Sequence, residues 1–442
     1  MELPKGWVYS KLSGIGQIVS GGTPSTKQDS YWNGDIAWIT PADLTGYGDK
    51  YISYGKRNIT QMGLAESSAQ LMPAGSVHFS SRAPIGYIVI SRNKICTNQG
   101  FKSIVPYVID INEYLYYFLK EQVEKIKARA SGTTFKEISG TEFGNTIIPL
   151  PPLAEQHRIV AKIDALFSKL DKGVEMLQTM RQQLQMYRQA VLKWAFEGKE
   201  WKRVTIERFL SKKIKPMATG PFGTMLKKDE HKSTGVPVLG IENIGKGVFQ
   251  PGNKIFVTPE KANYLKAFVL HKNDVIISRS GTVGELCLVP PHMDGALLST
   301  NLMRVTLDDT LIVPKYFIHL FLSKGVVIDQ VKELCKGSTR DFLNQTILKQ
   351  IVFPLPSLKE QAQIVAAIES RLSVCDKLES IVDESLAKVE ALRQSILKKA
   401  FAGQLVPQDP NDEPASILLE RIKAEQKHIS ASVKTKGGRK NG

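Results

Sequence analysis

The sequence predicts an α+β protein made as two copies of one module, two pseudo-repeated α/β blocks each continued by a long helix. Three observations carry that expectation. Pro149-Leu150-Pro151-Pro152-Leu153-Ala154-Glu155-Gln156 returns as Pro354-Leu355-Pro356-Ser357-Leu358-Lys359-Glu360-Gln361, an offset of 205 residues. That offset holds without a gap from Gly132 to Gly198 against Gly337 to Gly403, with roughly a third of the positions identical. Self-similarity at one fixed period is the mark of an internal duplication. Finally, each repeated segment shows helical periodicity, whereas the stretch before it alternates short β-type runs with turn residues.

The repeated segments read as long helices. A proline cluster stops each from extending backwards. In the first, apolar residues then fall at 163, 166/167, 170, 174, 177, 180, 184, 187, 191 and 194. In the second they fall at 364/365, 368, 372, 375, 378, 381/382, 386, 389, 392 and 396. This alternating three-and-four spacing is that of a coiled-coil seam. Gly198 and Gly403 follow the last apolar turn as stop signals. A lone seam would be left wet, so the two helices are expected to pack on each other. Spacing leaves their relative orientation open, and also leaves open that each folds back on its own block.

In the first block, strands are expected at Ile36–Ile39, Ser76–Phe79, Tyr87–Ile90 and Ser103–Val105. The second block offers Val236–Leu239, Asp274–Ile277 and Leu286–Val289 as counterparts. Each block closes in a helical run, Glu113–Ala130 and Pro314–Leu334. Residue identity suggests two further matches, Ser81-Arg82…Gly86 with Ser278-Arg279…Gly284 and Thr97-Asn98 with Thr300-Asn301. The expected partition is 1–150, 151–198, 199–356, 357–403 and 404–442. The last segment holds a short amphipathic helix (Ala415–Gln426) and a basic, disordered tail.

At 442 residues and 42% hydrophobic, the chain can bury more than one core. It has no run of eighteen apolar residues, and its start lacks a basic region leading into an apolar one. Cys96, Cys287, Cys335 and Cys375 stand far apart with no Cys-x-x-Cys pair, which argues against a zinc site or disulfide framework and suits a reducing cytoplasm. The formal charge of +16 is uneven. Lys and Arg outnumber Asp and Glu by 14 to 10 in residues 1–130 and by 21 to 12 in 201–340, but are outnumbered 10 to 13 in 341–426. A polyanion meeting the two blocks explains this, because neutralising phosphates releases counterions. A basic soluble surface without such a partner explains the charge equally well.

No catalytic constellation is legible. There is no Asn/Asp-Pro-Pro-aromatic motif, no phosphate-cradling Gly-x-x-x-x-Gly-Lys-Ser/Thr, and no histidine at metal-ligand spacing. Gly14-Ile15-Gly16 reads as a turn, and Glu197-Gly198-Lys199 as a helix end. What the blocks do carry is a reader's inventory of Arg, Lys, Asn, Gln, Ser and Thr beside glycine, able to bond base edges and phosphates. The DNA-contact candidates in the first block are Thr23, Lys27, Arg57, Ser81, Arg82, Asn98, Gln99 and Thr134. In the second they are Thr219, Lys227, Lys228, Arg279, Ser280, Asn301, Ser338 and Arg340. The segments Gly21-Gly22-Thr23-Pro24 and Gly220-Pro221-Phe222-Gly223 can also be plain turns.

The doubled Leu-Pro-x-Leu-x-Glu-Gln-x-x-Ile-Val motif (150–160 and 355–365), with the ending Phe401-Ala402-Gly403-Gln404-Leu405-Val406-Pro407-Gln408, resembles the specificity subunits of type I restriction-modification systems. The resemblance implies two target recognition domains separated by an antiparallel coiled coil of the two long helices, which acts as a ruler. Each domain would read one half of an asymmetric, two-part sequence in double-stranded DNA. It also implies a non-catalytic chain, one copy per complex, assembled with two modification (adenine-N6 methyltransferase) subunits and two restriction (translocase/nuclease) subunits. S-adenosylmethionine, ATP and Mg2+ would then belong to those partners. A helical scaffold whose two blocks bind protein is the competing expectation.

Overall fold

The structure is a computed structural model. It describes residues 3–132, 136–222, 225–281, 283–335 and 342–437, the last eight of these as backbone only. Contacts gather the chain into two compact units, Met1–Met176 with Ser385–Gly442, and Leu177–Glu384. Each unit therefore takes one block, the adjoining half of one long helix and the opposite half of the other.

In the first unit a five-stranded sheet runs Gly16–Ser20, Phe101–Pro106, Val77–Ser80, Ile88–Ser91, Tyr51–Ile52. The first four strands pair antiparallel and the short last one is parallel to its neighbour. A second sheet sets Trp32–Ile39 between Arg57–Ile59 and Ile95–Thr97. Val8–Lys11 pairs antiparallel with Ile147–Leu150, so the block begins where it ends. The second unit repeats this plan. Its four-stranded sheet runs Met217–Thr219, Leu302–Val305, Val275–Ser278, Leu286–Leu288. Its three-stranded sheet sets Val236–Leu239 between Ile255–Val257 and Leu297–Leu298, and its clasp joins Arg203–Thr205 to Val352–Pro354.

The duplication thus reaches through both blocks, where residue identity had faded. Tertiary hydrogen bonds also set its register, and here two expected matches are corrected. Gly100 O accepts from Ser81 N at 2.7 Å, while Asn301 O accepts from Arg279 N at 3.0 Å. Ser81 O and Arg279 O in turn accept from Ile138 N (3.1 Å) and Leu343 N (3.0 Å). Ser81 therefore corresponds to Arg279, not to Ser278. Asn98 N donates to Ile39 O and Ser299 N to Leu239 O, so Asn98 corresponds to Ser299, two residues before Asn301. Matching by identity slipped because exposed loop residues are free to change, whereas ladder bonds are fixed by the sheet.

The fifth strand of the first unit has no counterpart among the described residues of the second. Tyr51 and Lys50 are held by acids: Tyr51 Oη donates to Glu113, and Lys50 Nζ lies 2.9 Å from Asp164. Tyr114 and Tyr316 mark equivalent helix positions, donating to the carbonyls of Pro149 (2.7 Å) and Pro354 (3.0 Å). Lys315 therefore stands where Glu113 does, and it pairs in-chain with Glu369 at 2.7 Å. With that acid replaced by a base, a Lys-Tyr strand loses its anchor. The closing helices differ as well. Asn112–Ala128 is continuous, but the run expected over 314–334 breaks into Pro314–Leu322 and Ile328–Cys335. The break holds Gly325, whose φ of +79° leaves the helical region.

The long helices are Leu153–Phe196 and Leu358–Phe401, 44 residues each and offset by the same 205 as the sequences. At about 1.5 Å per residue each spans roughly 65 Å. Gly198 and Gly403 follow their ends with φ of +70° and +71°, a left-handed cap that glycine adopts freely. The doubled Glu-Gln motif is structural. Gln156 Nε2 donates to Pro151 O and Gln361 Nε2 to Pro356 O, both at 2.9 Å and both fully buried, tying each first turn to its proline entry. In the second unit, Arg188 bonds Glu379 at 2.9 Å and also meets Asp376, while Arg181 meets Asp383. One numbering rises as the other falls, so the segments run antiparallel. In the first unit Arg393 meets Asp171.

The two helices pack on each other, and the end of each also meets the block that the other helix follows. Phe401 stacks edge-on to Tyr114 (5.2 Å) and Phe118 (5.5 Å) of the first block, and Phe196 meets Tyr316 of the second at 5.6 Å. The expected seam is only partly dry. Ile163, Phe167, Leu184, Val191, Ile368, Cys375 and Val382 are buried, but Met180, Tyr187, Trp194, Leu378 and Leu392 are exposed. A single facing helix covers one stripe, and full burial occurs mainly where a block covers the helix too.

Ala415, Leu418 and Ile422 are buried in the first unit's core, and Arg158 reaches Asp412 at 2.5 Å. Their helix runs Ala415–Gly437, which corrects the expectation of a short helix ending at Gln426. No proline interrupts residues 427–437, and lysine is a good helix former. Residues 438–442 of the expected tail lie outside the described residues.

One buried polar group gives a pH prediction. His78 sits in the first sheet with Nδ1 2.9 Å from Ser103 Oγ, and burial pulls its pKa down to about 3. An unfolded histidine titrates near 6.5, so between these values the unfolded chain binds the extra proton. Stability from neutral His78 is then complete above about pH 6.5 and falls by about 1.4 kcal/mol per unit toward pH 3. Thermal unfolding across this range should show the slope in the parent and a shallower one in His78→Leu. Equal slopes would assign the acid sensitivity to other groups.

Candidate nucleic-acid interface

In each unit, the loops leaving the first strand, leaving the third, and entering the second of the larger sheet meet at one sheet end. Two glycines permit that meeting. A Cβ on Gly21 would lie 1.9 Å from Asn98 O, and one on Gly220 would lie 1.9 Å from Ser299 O. These positions therefore do more than turn the chain: they let one loop's backbone touch the other's. Gly22 N donates to Thr97 O at 2.8 Å, and Trp38 Nε1 donates to Gly22 O at 2.9 Å.

The first unit's loop end is polar and charged. Thr23 Oγ1 bonds Gln99, and Asn98 Oδ1 accepts from Gly100 N at 2.9 Å. Ser81 is fully buried, with Oγ 3.4 Å from Glu137 Oε1. Glu137 also meets Lys102 at 3.0 Å and Arg82 at 3.8 Å. Arg57 stacks on Trp32, its guanidinium 3.7 Å from the ring centre. Trp32 Nε1 donates to Ser25 O in the turn that carries exposed Lys27.

The second unit's loop end is aromatic around one arginine. Arg279, 5% exposed, lies 4.5 Å from the Phe342 ring and 5.4 Å from the Phe222 ring. Its Nε donates to Leu343 O at 3.3 Å, and burial lowers its pKa. Phe222 is 54% exposed and Phe342 40%, so the rings face solvent while the cation behind them does not. Such a partly exposed cation–π contact is worth on the order of 0.5–2 kcal/mol.

Of the sixteen expected contact residues, the structure brings Thr23, Ser81, Arg82, Asn98 and Gln99 together in the first unit. In the second it gathers Thr219, Arg279, Ser280 and Asn301 at the corresponding end. Lys27 and Arg57 belong to the smaller sheet's side of the first unit. Lys227 and Lys228 are exposed at a separate turn, where Glu230 caps Lys227 N at 2.8 Å. Thr134, Ser338 and Arg340 lie outside the described residues. Sequence reasoning passed over Lys102, Glu137 and Phe342. Glu137 and Phe342 are paired by the 205 offset, but in a repeat where about two thirds of the positions differ that contrast does not stand out.

Among the described residues no group of His, Cys, Asp or Glu could hold a metal ion, and no helix is long and apolar enough to cross a membrane. Two like units, each offering a dissimilar loop set at the same sheet end, define a duplicated recognition protein. The chain belongs to the type I restriction modification DNA specificity domain family, which matches residues 4–178 and 206–388. It is 28% identical to the MjaIX specificity subunit of Methanocaldococcus jannaschii, covering 91% of this chain and 94% of that one. It is 27% identical to the EcoKI specificity subunit of Escherichia coli strain K12, covering 96% of each. A chain solved in work on complex assembly and conformational transition of the type I restriction-modification system shares the fold, with TM-score 0.71 at 21% identity over 91% of this chain and all of that one. The HsdS subunit from Thermoanaerobacter tengcongensis gives 0.51 at 20% identity over 91% and 98%.

Proposed function

We propose that this chain is the DNA-binding specificity subunit of a type I restriction-modification complex, reading an asymmetric two-part sequence with one unit per half. The observation that carries this reading is the pairing of a shared scaffold with unlike loops at equivalent positions. A common frame presents two surfaces, and Thr23, Ser81 and Glu137 differ in kind from Phe222, Arg279 and Phe342. Unlike surfaces select unlike half-sites.

The exposed members of the two loop ends, with Lys27, Arg57, Lys227 and Lys228, contact bases and phosphates in this reading. Thr134, Ser338 and Arg340 belong to the same set. Ser81 and Arg279 act from inside, holding the loops. The chain itself is non-catalytic and binds no cofactor. Adenine-N6 methylation and ATP-dependent restriction are carried out by two modification and two restriction subunits around one copy of this chain. S-adenosylmethionine, ATP and Mg2+ sit on those partners. Four buried cysteines that stand far apart in sequence suit a complex working in the reducing cytoplasm.

The test is to express the chain with an adenine methyltransferase subunit encoded beside it and map methylated adenines across a genome. A motif of two specified parts separated by unspecified bases is expected. DNA affinity should also fall steeply with salt, by a log–log slope near −0.9 per neutralised phosphate. Methylation without sequence preference, or a flat salt response, would sink the reading.

A further inference from the structure

The geometry assigns the difference between the two half-sites to three matched positions: 23, 81 and 137 in the first unit and 222, 279 and 342 in the second. At these positions Glu137 accepts a hydrogen bond from a cytosine amino group, whereas Phe222 and Phe342 offer an apolar face to a thymine methyl. This rests on the reading above and deepens it.

The match comes from the fold. Gly21 N donates to Phe101 O and Gly220 N to Leu302 O, which aligns the two loops, and Thr23 and Phe222 each stand two residues further on. The backbone bonds of Ile138 and Leu343 to residues 81 and 279 place Glu137 and Phe342 at equivalent positions one residue earlier. In the first unit the three side chains are small or acidic, and in the second they form a Phe-Arg-Phe stack.

The chemistry follows from what each set can present. An unpaired carboxylate facing DNA would be repelled by phosphates. Lys102 at 3.0 Å and Arg82 at 3.8 Å offset Glu137's charge, and its backbone is laced to Ser131 in both directions (2.9 and 3.1 Å). It is thereby held as an acceptor, and the major-groove donor that a carboxylate selects is cytosine N4. The second set has no acceptor to offer. Its rings are exposed over a buried cation, which fixes their planes and turns Nε and Nη1 to the carbonyls of Leu343 and Thr300. Exposed, immobilised aromatic surface in the major groove suits the thymine methyl. Arg279 is a positioning residue here, acting through the rings.

The experiment uses the full chain assembled with its methyltransferase subunits, reading methylated motifs genome-wide. Glu137→Gln can donate as well as accept, so preference for cytosine should fall roughly tenfold or more at one position of one half. Phe342→Glu should lower preference for thymine similarly at one position of the other half, and Phe342→Leu, which keeps an apolar face, should retain it. An unchanged motif in both Glu137→Gln and Phe342→Glu overturns the assignment. So does uniform loss of methylation by Glu137→Gln in a chain that still unfolds at the parental temperature. A parental complex yielding no two-part motif would instead overturn the reading of the chain as a DNA specificity subunit.

Discussion

Replacing residues 1–150 by the corresponding block of another family member is expected to change one half of the methylated motif completely and leave the other half untouched. The block carries its own sheets, its two ends meet where Val8–Lys11 pairs with Ile147–Leu150, and its core is completed by side chains of both long helices and the C-terminal helix. Exchange therefore cuts the chain at one point, after Leu150. The junction to preserve is aromatic, because Tyr114 and Phe118 pack on Phe401. Each altered base pair costs on the order of 1–3 kcal/mol, so over several positions the original half-site should lose well over a hundredfold in preference. Genome-wide methylation mapping reads the result. If both halves change together, recognition is not divided between the units.

The double variant Leu418→Ala/Ile422→Ala should destabilise the first unit by about 4–8 kcal/mol, taking roughly 2–4 for each truncated side chain. Both residues are buried, at 2% and 0% exposure, beside Leu12, Ile15 and Trp7 in one cluster. They come from the far end of the chain, and Ala415 N bonds Gly6 O at 2.9 Å, so the C-terminal helix completes a core begun at the N-terminus. Truncating two neighbours on one helix face opens a shared cavity, which makes collapse around it difficult. Thermal unfolding should show an early transition or loss of one. Parental stability would place this helix outside the core.

Much of the architecture was legible because duplication and periodicity are local, additive signals. The 205 offset placed both long helices, expected over 151–198 and 357–403, within two residues of their ends, since proline entries and glycine exits act on the residues beside them. The seven expected strand cores formed for the same reason, whereas others, such as Gly16–Ser20 and Leu302–Val305, were not read. The upstream register was not, because Asn98 and Asn301 share only a side chain, while a carbonyl partner in the ladder decides equivalence. Glu137 and Phe342 escaped notice because a lone Glu or Phe signals nothing until a loop sets it beside Lys102 or Arg279.

By itself, then, the sequence determined that the protein is doubled, that each copy pairs a mixed block with a 44-residue helix, and that charge gathers on the blocks. These follow from repetition, spacing and composition, which need no third dimension. Only the tertiary structure decided which residues of the two copies are equivalents, that the helices run antiparallel within a unit, and that each core draws on both helices. It alone buried Arg279 and left Phe222 and Phe342 in the open. Burial and juxtaposition arise from long-range backbone bonds and packing, and residues distant in sequence carry no mark of the neighbours those forces give them.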